Sequence, residues 1–282
     1  MRNGIVLFTS DRGITPAELA VAAEARGFDT IYVPEHTHIP VRRDALHPTG
    51  GEELPDDRYL RTLDPWVSLA TCAAVTERIG LSTAVALPVE SDPITLAKTI
   101  ATLDHLSGGR VTIGAGFGWN TDELTDHHVP AEKRRTVLRE YLEAMRALWT
   151  QEEAAYDGEF VSFGPSWAYP KPPQGRVPVI IGAGAGPRTF EWIARNADGW
   201  MTTPTTSDVA ANADKLRKAW ADAGRDGDPD IRILVAKRPT EDDFADWMAA
   251  GPSELIWGVP DSDKDAVLTY LDKMAARLGL TP

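Results

Sequence analysis

An apolar, β-branched run from Phe28 to Val33 ends in Pro34-Glu35-His36, which sets a carboxyl and an imidazole side by side. An imidazole gives or takes a proton near neutral pH, so His36 is the first candidate for proton transfer, with Glu35 as its neighbour. A plain loop hydrogen bond is the competing reading of His36. Two glycine-rich runs follow similar apolar segments. The first, Gly114-Ala115-Gly116-Phe117-Gly118-Trp119-Asn120, lets a planar or phosphorylated ligand approach the backbone, and Asn120 can add amide hydrogen bonds. Of the nine tryptophans, Trp119 is the one best placed to touch that ligand. The second, Gly182-Ala183-Gly184-Ala185-Gly186, runs into a helix that starts near Pro187, where free N–H groups and the positive end of the helix dipole favour a phosphate. Tight packing or a flexible turn would explain these glycines too. Glu35-x-x-His38 and His47 suggest a metal site, but no spacing fixes a ligand set, and no metal is expected. His127 and His128 read as part of a solvated loop.

Such residues need strand ends to hold them, and the chain supplies eight. Asn3–Thr9 reads as a buried strand, and Thr15-Pro16 then opens a helix that stops at Gly27. Phe28–Val33 is the second strand, and Asp64-Pro65 starts its helix. Gly80–Leu87 is the third, with Asp92-Pro93 opening a helix that ends at Ser107-Gly108-Gly109. Arg110–Ala115 is the fourth, followed by a long helix from Lys133 to Thr150. A hairpin-like excursion, Tyr156–Phe163, precedes the fifth strand, Val177–Gly182, and the helix Pro187–Ala197. Gly199–Thr202 leads to a helix from Ser207 to Ala223, Ile231–Ala236 to one near Glu241–Ala249, and Glu254–Trp257 to the last, striped by Val267, Leu271, Met274 and Leu278. Eight strand-helix repeats predict one α/β domain over residues 1–282, a (β/α)8 TIM barrel with a long loop after strand two and a short insertion after the fourth helix. An open doubly wound sheet would more often carry Gly-x-Gly-x-x-Gly after its first strand, where this chain has Thr9-Ser10-Asp11-Arg12-Gly13.

In such a barrel the polar residues just past the strand ends face the pocket, and the connection Thr37–Leu63 is long enough to be a lid. The composition, 43% hydrophobic and 25% charged, is that of an ordinary globular protein. A formal charge of −13 opposes binding to nucleic acid or anionic membrane, so an anionic ligand needs a local cluster of Arg and Lys. No apolar run approaches the roughly 20 residues of a membrane span, and the amino terminus moves straight into a strand, so a cytoplasmic protein is expected. The single cysteine, Cys72, reads as a small buried apolar residue.

Four runs taken together resemble the bacterial luciferase-like monooxygenase superfamily: Gly27-Phe28-Asp29-Thr30-Ile31-Tyr32-Val33-Pro34-Glu35-His36, Thr76-Glu77-Arg78-Ile79-Gly80-Leu81, Leu103-Asp104-His105-Leu106-Ser107-Gly108-Gly109-Arg110 and Gly114 to Asn120. They look closest to the actinobacterial oxidoreductases that use the deazaflavin coenzyme F420. Ile180-Ile181-Gly182-Ala183-Gly184 and Asn196-Ala197-Asp198-Gly199-Trp200 fit as well, so the likeness spans nearly the whole chain. The resemblance implies a flavin-like ring across the strand ends, near Glu35, His36 and the loop Gly114, Ala115, Gly116, Trp119 and Asn120. It implies a bulge at Ala84, Val85 and Ala86 propping the ring, and a phosphate near Gly182, Ala183 and Gly184. Relatives that oxidise sugar phosphates carry a glutamate acid where this chain has Phe117. That argues against a sugar-phosphate dehydrogenase and suggests an apolar patch, Phe117 and Trp119, facing the substrate.

The implied activity is hydride transfer between F420 and a small, partly apolar organic substrate, with His36 handling the accompanying proton. One alternative keeps the fold but uses reduced FMN and oxygen, which would require a flavin reductase as partner. Another is a catalytically silent flavin- or deazaflavin-binding protein. Arg42, Arg43, Arg58, Arg61, Arg188, Lys237 and Arg238 are candidates to meet the oligoglutamate tail of F420, and the resemblance also implies a homodimer.

Overall fold

The computed structural model describes residues 1–8, 10–47, 53–204 and 208–281. Thr9, at the end of the first expected strand, and Ser207, at the start of an expected helix, lie outside them, as do residues 48–52 of the long loop. The strands in chain order are β1 (Arg2–Val6), β2 (Thr30–Val33), β3 (Gly80–Thr83), β4 (Val111–Gly116), β5 (Ala154–Asp157), β6 (Ser162–Ser166), β7 (Val179–Gly182), β8 (Gly199–Thr202), β9 (Asp230–Val235) and β10 (Glu254–Gly258). Eight of them close a parallel barrel in the order β1-β10-β9-β8-β7-β4-β3-β2, and β5 and β6 form the separate hairpin expected after the long helix. The helices are α1 (Pro16–Glu24), α2 (Pro65–Val75), α3 (Pro93–Ser107), α4 (Thr121–Asp126), α5 (Arg134–Thr150), α6 (Pro187–Asn196), α7 (Val209–Asp222), α8 (Glu241–Ala249) and α9 (Lys264–Leu278).

Local chemistry starts these helices where the sequence places them. Thr15 caps α1 in a reciprocal box with Glu18, and the Asp64 and Asp92 side chains accept from Val67 N–H and Thr95 N–H ahead of Pro65 and Pro93. Gly108 ends α3 at φ 74°, in the left-handed region that a side chain disfavours. Several features differ from the sequence reading, and the first strand already stops at Val6, ahead of the expected Thr9. α4 is a six-residue polar helix, too short for an apolar stripe to announce it. The third strand stops at Thr83 instead of Leu87, because Ala84, Val85 and Ala86 leave the regular ladder as a bulge with a cis Ala84–Val85 peptide.

Strand alternation sorts the barrel into two cores. Ile5, Ile31, Val33, Val179, Ile181, Trp200 and Leu255 point outward and join the helix faces in one continuous apolar layer. Their neighbours Val6, Tyr32, Ile180, Met201 and Ile256 point inward and fill the barrel. Burying each large aliphatic side chain in either layer is worth roughly 1.5–3 kcal/mol. Beneath the inner apolar layer lies an ionic floor. Tyr32 donates its hydroxyl to Glu254 Oε2 at 2.7 Å, Arg232 Nη1 donates to the Tyr32 oxygen at 2.8 Å, and Arg232 stands 3.6 Å from the fully buried Glu254 carboxylate. Gly4 makes room for it, since a Cβ there would lie 2.7 Å from both Glu254 Oε1 and the Tyr32 ring. With the bottom filled this way, a ligand site inside the barrel lies at the carboxyl ends of the strands.

Candidate active site

The strand-end segments after β2, β3 and β4 are tied to one another by backbone hydrogen bonds. Ala84 N–H donates to Val33 O, Glu35 N–H to Val85 O, Ala86 N–H to Gly114 O and Gly116 N–H to Ala86 O. The bulge is therefore stitched between β2 and β4, and the Val85 side chain projects over the next strands. A Cβ on Gly182 would lie 2.3 Å from Val85 Cγ1, and one on Gly116 would lie 2.6 Å from Val85 Cγ2. Those two glycines are required by Val85, which caps the apolar barrel interior as a half-buried floor of the mouth. Gly114 has a different reason, because a Cβ there would overlap Thr83 O.

His36 stands at one side of this mouth with its side chain 7% exposed. Its Nδ1 lies 2.9 Å from Glu123 Oε2, while Thr37 N–H donates to Glu123 Oε1 at 3.1 Å. Glu123 is fully buried on α4, so it fixes the orientation of the imidazole and leaves Nε2 as the ring nitrogen for other partners. Around the imidazole stand Trp119, edge-on with centroids 5.8 Å apart, and Tyr59, tilted at 5.6 Å. His47 reaches both rings, at 5.2 Å from Trp119 and 5.1 Å from Tyr59, and its Nε2 lies 3.0 Å from the Tyr59 hydroxyl. The long loop after β2 thus contributes aromatic walls as well as length.

Glu35 lies beneath the mouth, 6% exposed. Its Oε2 accepts the Leu87 N–H at 2.6 Å, which anchors the far end of the bulge. Burial raises its pKa to about 7 against the Leu87 hydrogen bond, and the charges of Asp64 and Glu123 add to the rise. Its recorded contact is a positioning one. Asn120 is turned inward, 1% exposed, with Nδ2 at 3.4 Å from Glu123 Oε2 and its buried Oδ1 without a partner among the described residues. Phe117, expected with Trp119 at the substrate, is 8% exposed. Its buried ring meets Trp192 edge-on at 5.0 Å, and the Arg135 guanidinium covers it at 4.4 Å, so protein occupies its surroundings.

The second glycine run behaves differently from the first. A Cβ on Gly184 or Gly186 would meet nothing within 4 Å, so this turn borders open space ahead of α6. Its helix has no side-chain cap, and Pro187 is its first residue. Arg135, on α5, reaches into the first turn by donating from Nη2 to Thr189 Oγ1 at 3.1 Å. Burial first, then the charges of Arg134 and Arg188, lower the Arg135 pKa; the like-charged guanidiniums would be relieved by an anion. Sequence reasoning missed Arg135 and Glu123. Arg135 lies on a helix that read only as packing, and Glu123 is one of several acids after Asn120. Its place three residues beyond Asn120, one helical turn on, was the available signal.

Other singled-out residues are already engaged. Arg58 pairs with Asp56 and Arg61 with Asp11, whereas Arg188, Lys237 and Arg238 are exposed near the ends of β7 and β9. Arg42 and Arg43 share a hollow with Asp44 and Asp122. His38 Nε2 lies 2.9 Å from Asp126, so His38, His47 and Glu35 go to three separate partners. Among the described residues no three His, Cys, Asp or Glu side chains gather as a metal site, and no helix is long and apolar enough to cross a membrane. Cys72 is buried, and burial pushes its thiol up to about 12.

Comparison with known proteins agrees with this fold. The sequence profile of the luciferase-like monooxygenase family matches residues 15–277. An uncharacterized protein of Mycobacterium tuberculosis is 63% identical over 279 residues, covering 99% of each chain. An F420-dependent glucose-6-phosphate dehydrogenase of Nocardia farcinica is 33% identical over 232 residues, 78% of this chain and 63% of its own. Among solved structures, the monooxygenase RslO1 of Streptomyces bottropensis superposes with a TM-score of 0.77 at 22% identity, covering 99% of this chain and 98% of the other, a likeness of fold.

Proposed function

The chain belongs to the luciferase-like monooxygenase family, and from that premise we propose that it transfers a hydride between coenzyme F420 and a small, partly apolar organic substrate. The observation that carries this reading is His36, held by a buried glutamate at the edge of an aromatic mouth whose far side is an open glycine turn flanked by arginines. Relatives named F420-dependent support the choice of coenzyme.

The residues present fit such a coenzyme. A phosphate suits the open Gly184–Gly186 turn, the first turn of α6 and the cationic group Arg135, Arg134 and Arg188. A planar ring suits the half-buried Val85 floor, against which Gly116 and Gly182 pack without a Cβ. Arg58 and Arg61 are already paired, and the exposed Arg188, Lys237 and Arg238 near the ends of β7 and β9 are suited to meet an acidic tail. When bound, F420 supplies the two-electron redox chemistry.

The chain's own residues do the rest. His36 Nε2, the ring nitrogen not taken by Glu123, would give or take the proton that accompanies the hydride, and the Nδ1 contact with Glu123 holds the ring in orientation. Trp119, Tyr59 and His47 exclude water and present ring surfaces to a partly apolar molecule. Phe117, under Arg135, leaves no acid at the position where sugar-phosphate oxidising relatives carry one, so we assign a different substrate class.

Titrating the apoprotein with F420 and, separately, FMN at several salt concentrations tests the reading. Tight, salt-sensitive binding of F420 is expected. Preference for FMN would transfer the case to oxygen chemistry with a reductase partner, and binding of neither would refute the coenzyme assignment.

A further inference from the structure

Beyond the mouth, Thr37 links Glu123 to a second buried carboxyl, that of Glu90 in the turn after the bulge: Thr37 N–H donates to Glu123 Oε1 at 3.1 Å and Thr37 Oγ1 to Glu90 Oε2 at 3.3 Å. Glu90 has a side chain without exposed surface, and its Oε1 has no partner among the described residues. Burial, then the charges of Glu123 and Glu35, push its pKa well above the ordinary carboxylate range, and a hydrogen bond to Glu123 adds to the rise. A proton held between these two carboxyls satisfies groups that would otherwise be acceptors facing acceptors.

The contacts continue outward. Glu90 Oε2 accepts from Thr37 Oγ1 at 3.3 Å, and Thr37 Oγ1 lies 2.7 Å from His127 Nε2 and 3.1 Å from His38 Nδ1. His127 Nε2 is itself 3.9 Å from Glu90 Oε2. The His127 side chain is 27% exposed and lines a hollow of about 380 Å³ between the turn at Glu90, the start of α3 and the β5-β6 hairpin. That hollow is separate from the aromatic mouth.

We propose that Glu123, Glu90, Thr37 and His127 form a proton path joining His36 to solvent at this hollow, so that His36 exchanges its proton while the mouth is covered by ligand. The inference rests on the reading of His36 as the proton-handling group. In the oxidation direction, His36 takes the substrate proton at Nε2 and passes its Nδ1 proton to Glu123. The Glu123–Glu90 pair relays one proton through Thr37 and His127 to water in the hollow, which leaves the His36 proton on Nε2; once the product leaves, Nε2 gives that proton to water at the mouth and one proton returns along the path to Nδ1, restoring the starting tautomer. Burial lowers the His127 pKa, which keeps the ring neutral and able to accept near pH 7. Other groups that face the path are Glu35 and Asp64 from the end of β2 and the cap of α2, His38, Asp126 and His128 around His127, and Asp92 at the hollow. Glu90 and His127 act through His36 and are positioning residues in this scheme.

The test is the rate at which His36 Nδ1–H exchanges with solvent, read by NMR on F420-bound protein carrying nitrogen-15 histidine, with Glu90→Gln and His127→Phe as variants. Glu90→Gln keeps the shape and hydrogen bonding of the side chain but cannot pass a proton, so it guards against loss of fold, which circular dichroism checks. Exchange slowed at least tenfold in both variants, with the His36 resonances unmoved, is expected; the wild-type rate in either variant overturns the path. Turnover of His36→Ala tests the underlying reading separately, since an unchanged turnover would remove the role of His36 whatever the exchange rate.

Discussion

Replacing Glu35 with glutamine isolates one buried charge. The carboxyl is 6% exposed, and burial raises its pKa from an ordinary 4.5 to about 7. The folded value exceeds the unfolded one, so ionisation costs nothing below about pH 4.5. The cost grows through the window up to 7 and is complete above it. At about 1.4 kcal/mol per pH unit, the wild-type fold loses roughly 3 kcal/mol across that window through this group. Glutamine retains an oxygen to accept the Leu87 N–H and never ionises, so Glu35→Gln escapes the loss. For a chain of this length the escape corresponds to roughly 5 °C in Tm. Thermal unfolding of both proteins, followed by circular dichroism at pH 4.5, 6 and 8, reads the difference directly. The advantage of Glu35→Gln should be near zero at pH 4.5 and reach about 5 °C at pH 8. A difference that stays flat with pH, or shrinks as pH rises, would refute the claim that a buried ionisable carboxyl supports the bulge.

Four other outcomes follow from the same contacts. His36→Ala should lower turnover about 10²-fold or more while coenzyme affinity, measured by fluorescence titration, changes little. Arg135→Gln should weaken coenzyme binding about tenfold or more and flatten its salt dependence, since a charged partner at the first turn of α6 is lost. Gly182→Ala should be poorly tolerated, because its Cβ would meet Val85 Cγ1 at 2.3 Å, whereas Gly184→Ala should unfold at the wild-type temperature. Arg232→Met should cost about 3–5 kcal/mol in denaturant unfolding, since Glu254 would remain buried beside Tyr32 with its nearest buried cation gone.

Much of the architecture was legible along the chain because its signals are local. Thr15-Pro16, Asp64-Pro65 and Asp92-Pro93 start helices through bonds that span three residues, and buried parallel strands announce themselves as short apolar runs. The repeat count and the family resemblance then led to the closed barrel, and His36 was marked by its place at a strand end. The bulge at Ala84 to Ala86 was known only through the resemblance, since Gly80–Leu87 reads as one unbroken strand. Position in sequence could not show which way a polar residue turns. Phe117 and Asn120 share a run with Trp119, yet α5, α6 and Glu123 claim the first two and leave the third at the mouth. Glu123 lies 87 residues from His36, Glu90 is in another loop, and Arg135 is on a helix that read as packing. Only closure of the barrel brings such groups together, because their pKa shifts and contacts depend on shared burial, a property that no segment possesses alone.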